Sequence, residues 1–325
     1  MKIVVLGAGL SGLAATWFLL QRTHQVTVLD SLGIGGGASG VSAGLLHPYA
    51  GAHGKLNWQG WEGWHATCRL LKVAEEALGE SIADHNGLLR PIVSAGQRED
   101  FWKTTQTYSD VQWKTKDECA AMAPCILPSE ALWIPSAITV DTPRYMQGLW
   151  LACERLGAVF NQQKVSSLQD LGEYDRIVVA MGAACKTLPE LAQLPINPVK
   201  GQVIELEWPS HLRKSAFPIN SQAYVIFNAH LNSCLVGATY ERTYPSEAAD
   251  PQTALALLLP KIAASIPELS NARLISCRAG IRASTPNHQP IVRQWDARSW
   301  IITGMGSKGL LYHAKSAEEL ANLIK

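Results

Sequence analysis

Residues 1–30, MKIVVLGAGLSGLAATWFLLQRTHQVTVLD, decide the fold of this chain. They predict a short apolar strand over 3–6, a glycine-rich turn, a helix, and a second apolar strand over 26–29 that ends on Asp30. That order is the dinucleotide-binding fingerprint of a Rossmann-like domain, in which the acidic residue accepts hydrogen bonds from the adenosine ribose. A glycine-rich turn alone is weak evidence and could be purely structural, but the flanking strands and the acidic residue favour a nucleotide site.

Each residue of the turn has an expected role. Gly7 permits the tight turn, Gly9 lets the backbone approach a pyrophosphate, and Gly12 allows the helix to pack closely on the strand. Leu10 and Ser11 lie at the helix N-terminus, where free N–H groups and the helix dipole favour phosphate oxygens. These five residues are therefore predicted to bind the cofactor together with the acid that ends the second strand.

Composition limits the possible classes of protein. The chain has 325 residues, 47% of them hydrophobic, which is enough for a large core and suggests two domains. Its formal net charge of +1 provides no global field that would attract nucleic acid or an anionic membrane. The seven cysteines are odd in number and include no CxxC pair, so neither a disulfide framework nor a metal centre is expected.

The location of the protein can also be predicted. An apolar run after Lys2 resembles a secretory signal, but three glycines interrupt it and a second strand follows at once. No segment approaches the roughly twenty consecutive apolar residues of a membrane span. We therefore expect a cytoplasmic protein without a membrane span, and export is the weaker alternative.

A second glycine-rich segment indicates which dinucleotide is bound. Residues 31–44, SLGIGGGASGVSAG, stand where a nicotinamide-dependent enzyme usually begins its next crossover helix. A flexible, hydroxyl-bearing loop suits a longer ligand whose pyrophosphate and ribityl chain need several backbone contacts. The segment therefore favours FAD over NAD, although a solvent-exposed linker is the alternative. The cofactor-binding residues predicted here are Ala38, Ser39, Gly40, Ala43, Gly44 and Leu45.

Later strands indicate that the chain returns to the nucleotide domain. A strand over 158–165 ends where a side chain could frame the adenine, and a strand over 174–182 ends in small residues. A third strand, over 300–303, runs into a glycine turn and a final helix, whose N-terminus can stabilise negative charge on a reduced flavin. The candidates for cofactor contacts in these segments are Val165, Ala180, Gly182, Gly304, Gly306, Ser307, Lys308, Gly309 and Leu310.

The predicted fold class is α/β: a Rossmann-like FAD-binding domain with an inserted substrate domain built on an antiparallel or mixed sheet. The insertion is expected in two pieces that carry alternating strands such as 202–208. The predicted FAD-binding domain comprises residues 1–55, 135–195 and 275–325, and the predicted substrate-binding domain comprises residues 56–134 and 196–274.

Seven short motifs, taken in order, resemble one enzyme family over nearly the whole chain. They are GAGLSG (7–12), ASGVSAGLLHP (38–48), VKGQ (199–202), AYVIFN (223–228), VGATYE (236–241), AGIRASTPNHQPIV (279–292) and GMGSKGL (304–310). Their joint order resembles the D-amino-acid oxidase family of FAD enzymes. Within it, the chain is most similar to the glycine oxidase branch and to the flavin domain of the bifunctional enzyme that modifies the tRNA wobble uridine.

The resemblance implies roles for residues of a substrate pocket. Arg282 matches the arginine that pairs with the substrate carboxylate, a role that suits a planar, permanently charged guanidinium. Tyr224 matches a tyrosine whose hydroxyl helps to hold the same carboxylate. A surface salt bridge and an ordinary strand tyrosine are the respective structural alternatives. Tyr240 could also reach the pocket, although strand packing is an alternative, and Phe227 stands where the family usually has proline.

FAD is expected to be bound noncovalently. In the sarcosine oxidase branch of the family a cysteine tethers the flavin, and the matching position here is Gly280, with Cys277 close by but out of register. His47, Lys200 and Lys308 are further candidates for contacts around the flavin ring. A basic group there can stabilise the reduced anion or promote reaction with oxygen.

The resemblance implies an enzyme that oxidises the C–N bond of a small amino acid or secondary amine. Hydride would pass from carbon to flavin N5 and water would hydrolyse the resulting imine, with oxygen or another acceptor reoxidising the flavin. One alternative is removal of a carboxymethyl group from a tRNA wobble uridine. The 325 residues contain no methyltransferase half and no basic stripe, so nucleic acid is the less expected partner. A non-catalytic flavin-binding sensor is the other alternative, and the oligomeric state stays open.

Overall fold

The computed structural model describes residues 1–228 and 231–324. In this part of the chain the strands are β1 (Lys2–Leu6), β2 (Gln25–Asp30), β3 (Leu45–Leu46), β4 (Ala83–Asp84), β5 (Leu88–Pro91), β6 (Gln112–Lys114), β7 (Ala131–Ile134), β8 (Ile138–Val140), β9 (Val159–Gln162), β10 (Arg176–Val179), β11 (Asn197–Glu207), β12 (Ile219–Asn220), β13 (Tyr224–Phe227), β14 (Ser233–Gly237), β15 (Leu274–Ser284), β16 (Ile291–Gln294) and β17 (Ser299–Thr303). The α-helices are α1 (Leu10–Leu20), α2 (Gly60–Leu78), α3 (Ala95–Thr107), α4 (Lys116–Met122), α5 (Thr142–Arg155), α6 (Pro251–Ala263) and α7 (Gly309–Leu323).

The first sheet carries the nucleotide fingerprint. Its strand order is β16-β17-β10-β1-β2-β9, and all neighbours are parallel except the antiparallel pair β16 and β17. The chain runs from β1 through α1 to β2 on one side, and β10 pairs with β1 on the other side. The strand order therefore reverses direction beside β1, which is where open α/β sheets bind nucleotides. The predicted α/β, Rossmann-like fold is confirmed.

Both faces of this sheet are buried, which explains the continuous apolar sequence of β1. Ile3 and Val5 face a core formed with α1, α2, α5 and α7, whereas Val4 and Leu6 face a second core on the opposite side. Successive strand residues point to opposite faces, so a strand covered on both sides needs apolar residues at every position.

The second large sheet is mixed, as predicted for the inserted domain. Its order is β15-β11-β14-β13-β12-β5-β7-β6, and its pairs are antiparallel except for β12 with β5. α4 and α6 cover one of its cores, in which Leu206, Val225 and Leu258 are fully buried. β3, β8 and β4 form a third, small sheet.

Two elements connect the predicted domains closely. β15 belongs to the eight-stranded sheet, and the helix α2 packs against α5 and α7 beside the first sheet. Both assignments depend on pairing and packing over long sequence separations, which local patterns do not report. The residue boundaries given above for the two domains remain a prediction.

We expect Gly12→Ala to destabilise the nucleotide fold, because a Cβ at this position would overlap the carbonyl oxygen of Gly7. Overpacking of this kind costs about 1–3 kcal/mol. Gly172→Ala is the matched control: no atom lies within 4 Å of its Cβ position, and its φ of −60° suits alanine. The control should gain about 0.4–1 kcal/mol. Urea unfolding measures both changes, and equal free energies of unfolding would contradict the packing described here.

Candidate active site

A large cavity is bounded by both large sheets. Its volume is about 1340 Å³, which exceeds the roughly 300–1,000 Å³ of a typical small-molecule site. The turns that follow β1, β10 and β17 form one part of its wall, and residues of β11, β13 and β15 form another. A cavity of this size at the carboxyl ends of parallel strands suits a dinucleotide together with a small substrate.

The turn after β1 is shaped for close approach by a ligand. Gly7 has a φ of +106°, and a Cβ on it would lie 2.6 Å from the carbonyl oxygen of Ala180. Gly9 precedes α1 without offering a side-chain cap, and the N–H of Leu10 donates to Ser39 Oγ at 3.2 Å. The N–H groups of the first helical turn that follow Leu10 can still serve as donors for a pyrophosphate, so these residues fit the FAD predicted from the sequence.

Asp30 has a structural task in addition to the ribose contact predicted for it. Its Oδ2 accepts from the N–H of Ala8 at 2.8 Å, and its Oδ1 accepts from the N–H of Leu32 at 2.7 Å. The carboxylate therefore ties the turn after β1 to the start of the second glycine-rich segment. Asp30 also lines the cavity, and its contact with a ribose remains a prediction.

Most of the residues predicted to contact the cofactor meet at the cavity wall. Those on the wall are Gly7, Gly9, Leu10, Ser11, Asp30, Ala38, Ser39, Ala43, Gly44, Leu45, Ala180, Gly182, Gly304, Gly306, Ser307, Lys308, Gly309 and Leu310. Gly12, Gly40 and Val165 lie off the wall. Gly12 and Gly40 each permit a close backbone contact, with Gly7 and Gly35 respectively, and Val165 follows β9 and is buried beside Leu168.

The substrate end of the cavity is built around two glycines that leave room for larger side chains. The side chain of Arg282, on β15, extends over Gly201 of the neighbouring β11. A Cβ on Gly201 would overlap the guanidinium. Tyr224 on β13 lies across Gly237 of β14, where a Cβ would lie 2.5 Å from the tyrosine hydroxyl oxygen. The motifs VKGQ and VGATYE therefore supply the space that the arginine and the tyrosine need.

The electrostatics of this end favour an anionic ligand. Arg282 is half-buried, and its Nη1 donates to the carbonyl of Thr239 at 3.2 Å. Burial lowers the pKa of Arg282 from its ordinary value, and nearby Tyr224, Tyr240 and Glu241 oppose that change. Within residues 1–228 and 231–324, Arg282 forms no salt bridge. A partly desolvated guanidinium without a carboxylate partner can pair with a carboxylate of the substrate.

The tyrosine beside it is held as a neutral donor. Burial raises the pKa of Tyr224 well above its ordinary value, although the charges of Arg282 and Arg278 act in the opposite direction. The phenol therefore keeps its proton at neutral pH and can donate a hydrogen bond to an oxygen held by Arg282.

Of the other residues that the sequence predicts near the flavin or the substrate, some line the cavity and others do not. Tyr240 and His47 line the cavity, as does Lys308, whose pKa is lowered by burial. Lys200 does not line the cavity, because its Nζ donates to the carbonyl of Ser246 at 2.9 Å. Phe227 packs edge-on against a tryptophan, with ring centroids 4.9 Å apart, and does not form part of the wall.

Arg90 on β5 also lines the cavity, although the sequence analysis did not single it out. It is 2% exposed, and its guanidinium lies 4.9 Å from the ring centroid of Phe101. The signal that could have identified it is a charged residue inside the apolar strand sequence GLLRPIV (87–93), because an arginine is seldom fully buried without a reason.

The position that would carry a flavin-tethering cysteine is filled tightly. A Cβ on Gly280 would lie 2.8 Å from the Cα of Ala38, so a side chain there would displace the turn over 38–41. Cys277 lies three residues away on β15 and does not line the cavity. Burial raises the pKa of its thiol, which lowers its reactivity.

Comparison with known proteins identifies the family. Residues 2–323 match the family described as DAO, FAD dependent oxidoreductase. The chain belongs to this family. The cofactor is therefore FAD, and the protein is an FAD-dependent oxidoreductase rather than a non-catalytic flavin carrier. Noncovalent binding agrees with Gly280, which stands where one branch of the family has its tethering cysteine.

Two curated relatives and one solved structure illustrate the relationship. The oxidoreductase is 28% identical over 362 residues to the tRNA 5-methylaminomethyl-2-thiouridine biosynthesis bifunctional protein of Polaromonas sp. strain JS666, covering 98% of this chain and 56% of that protein. It is 24% identical over 369 residues to glycine oxidase of Geobacillus kaustophilus, covering 99% of this chain and 92% of that protein. The crystal structure of that glycine oxidase superposes with a TM-score of 0.85 at 20% identity, covering 100% and 95% of the two chains. The chain thus spans about half the length of the bifunctional relative.

Membrane-spanning helices and metal-binding clusters are both absent from the described residues. No helix in residues 1–228 and 231–324 is long and apolar enough to cross a membrane. In the same ranges, no group of three or more His, Cys, Asp or Glu side chains is arranged to hold a metal ion.

Acid precipitation should release the flavin into the supernatant, because Gly280 stands at the tethering position and the Cys277 thiol lies off the cavity wall. Absorbance of the supernatant and the pellet measures the partition. Cys277→Ser should give the same result as the natural protein. Flavin that stays with the pellet in the natural protein and leaves it in Cys277→Ser would contradict noncovalent binding.

Proposed function

We propose that this oxidoreductase oxidises the C–N bond of a small amino acid, or of a secondary amine that carries a carboxylate. The observation that carries the proposal is Arg282, a half-buried guanidinium on the cavity wall that forms no salt bridge among the described residues. The family membership and the similarity to glycine oxidase support it.

The side chains act mainly by binding and positioning. Arg282 pairs with the substrate carboxylate through two N–H groups, and this two-point contact fixes the plane of the carboxylate. Tyr224 donates a further hydrogen bond from its neutral hydroxyl. Because the α-carbon is bonded directly to that carboxylate, its position is fixed as well. FAD, when bound, supplies the two-electron acceptor for the hydride that leaves this carbon.

Partial burial of Arg282 strengthens its contact with the substrate carboxylate. Arg282 is partly desolvated, so its attraction for a carboxylate is stronger than it would be in water. Because the hydride would leave a substrate whose amine is already neutral, this step needs no acid or base of this chain, and water can hydrolyse the resulting iminium after transfer. Oxygen as the electron acceptor and a cytoplasmic location remain predictions.

A tRNA wobble uridine that carries a carboxymethylaminomethyl group is the second candidate substrate. The first relative described above is named for biosynthesis of a modified tRNA uridine, and such a substrate would present an N-substituted glycine to Arg282. The formal net charge of +1 argues against unaided binding of RNA. Anaerobic reduction of the flavin by free amino acids and by hypomodified tRNA in parallel distinguishes the two.

We expect Arg282→Lys to lower kcat/KM for the best carboxylate substrate by about 100-fold, because lysine keeps the charge and loses the planar two-point contact. Arg282→Ala should be more severe, since losing one partner of a buried ion pair costs about 3–5 kcal/mol, or roughly two to four orders of magnitude. Steady-state kinetics measure both changes, and the flavin absorption spectrum should stay nearly constant.

Arg273→Ala is the control for these variants. Arg273 directly precedes β15, pairs with Glu207 at the surface, and has a side chain that is 70% exposed. Its kinetics should match those of the natural protein. If both Arg282 variants retain full kcat/KM on the best carboxylate substrate, Arg282 is not the anchor and the proposal loses its support.

A further inference from the structure

Arg90 is a buried cation that has no carboxylate counter-ion in the described part of the chain. Its Nη1 donates to the carbonyl of Tyr49 at 3.0 Å and its Nη2 donates to the carbonyl of Gly51 at 2.6 Å, while its Nε has no hydrogen-bond partner in residues 1–228 and 231–324. Among the described residues it forms no salt bridge. Burial lowers the pKa of Arg90 to about 10, so the group stays charged at neutral pH.

Two acidic side chains in this part of the fold have partners of their own. Asp100 pairs with His53, and Asp110 accepts a hydrogen bond from the Tyr49 hydroxyl at 2.7 Å. A guanidinium has five N–H donors, and within the described residues two of those on Arg90 are used by protein carbonyls. Holding the loop over 49–51 in place therefore explains part of its bonding, and the face of the Phe101 ring stabilises the cation without supplying a counter-charge. A buried charge without a partner is strongly unfavourable.

The surroundings of Arg90 also suit an anion. His47 lines the same cavity and is 4% exposed, and its Nδ1 has no hydrogen-bond partner among the described residues. Burial, with a further contribution from the charge of Arg90, lowers the pKa of His47 to about 3, so it is a neutral hydrogen-bonding group. α3 begins at the same wall, where Ser94 and Gln97 line the cavity and the helix dipole adds positive potential.

We propose that this wall, formed by His47, Arg90 and the Ser94 and Gln97 side chains at the start of α3, is a second anion subsite, here called the Arg90 subsite. It receives an acidic group at the far end of the substrate, while Arg282 holds the α-carboxylate. The preferred substrate class is then an amino acid or N-substituted glycine that carries a second carboxylate or a similar oxyanion. This inference rests on the proposed function for the role of Arg282, and on Arg90 for the second group.

The first test compares acidic substrates with their uncharged amides. N-carboxymethyl, N-(2-carboxyethyl) and N-(3-carboxypropyl) glycine are each paired with the primary amide of the distal carboxylate, so that the spacer length is sampled and shape is matched. For the best spacer, we expect kcat/KM for the acid to exceed that for the amide by about tenfold or more. Equal values for all three pairs would overturn the Arg90 subsite.

Variants then assign the preference to Arg90. Arg90→Met should reduce the acid-to-amide ratio of kcat/KM at least about tenfold, mainly through KM, and Arg90→Lys should retain part of it. Arg98→Met is the matched control, because Arg98 lies on the outer side of α3, pairs with Glu130 and does not line the cavity. A ratio that is unchanged in Arg90→Met, or that falls equally in Arg98→Met, would contradict the inference.

A second variant covers the case in which Arg90→Met does not fold. Gln97→Glu keeps the acceptor for the N–H of Val93 and places a negative charge on the same wall, so the acid-to-amide ratio should fall about threefold or more. An unchanged ratio would count against the subsite as firmly as an unchanged ratio in Arg90→Met.

Calorimetry separates failure of this inference from failure of the proposed function. Succinate and glutarate should bind the oxidised holoenzyme at least about tenfold more tightly than their monoamides, with the difference lost in Gln97→Glu or Arg90→Met. If no amine reduces the flavin, the proposed function fails while these dissociation constants still decide on the Arg90 subsite. If glycine derivatives reduce the flavin but dicarboxylates and monoamides bind equally, only the inference fails.

Discussion

The site depends on the antiparallel pairing of β11 with β15, in which Gly201 lies opposite Gly280. Each glycine serves a different neighbour. The missing side chain of Gly201 leaves space for the Arg282 guanidinium, and the missing side chain of Gly280 lets the turn over 38–41 approach β15. The pair Gly201 and Gly280 therefore connects the part of the cavity that contains Arg282 with the second glycine-rich segment, residues 31–44.

Among the described residues, the arginines on the cavity wall are Arg282 and Arg90. Neither Arg282 nor Arg90 is neutralised by a carboxylate among residues 1–228 and 231–324. Each is desolvated, which costs stability, and each is fixed by backbone carbonyls. In the function and subsite proposed above, an anionic ligand offsets that cost on binding, so that these charges would select and orient the ligand while the cofactor carries out the electron transfer.

The nucleotide fold could be predicted from the sequence because its signals are local. The strand, turn, helix and acid of residues 1–30 lie within one supersecondary unit, and the structure places them as expected. Motifs of the family single out Arg282 and Tyr224 as candidates, and their roles stay predictions. The space that their glycine neighbours provide is visible only in the pairing of β11 with β15 and of β13 with β14.

The remaining features depend on contacts between distant segments. Arg90 meets the loop over 49–51 across about forty residues, and no periodicity in either segment reports that contact. The sequence makes Lys200 a candidate for a contact with the flavin ring, but its ammonium group donates a hydrogen bond to the carbonyl of Ser246. Val165 lies beyond the end of β9 and packs into the core. Such outcomes follow from tertiary packing, which local sequence patterns do not encode.

The central claim is that a carboxylate pairs with Arg282 inside the FAD cavity. The most direct measurement titrates the oxidised, anaerobic holoenzyme with glycolate, which carries a carboxylate and no amine, and follows the flavin absorption spectrum. We predict a saturable spectral change whose Kd rises about tenfold or more when Arg282 is replaced by lysine, because the two-point contact is lost. The same Kd in both proteins, or no saturable change in the natural protein, would contradict the account.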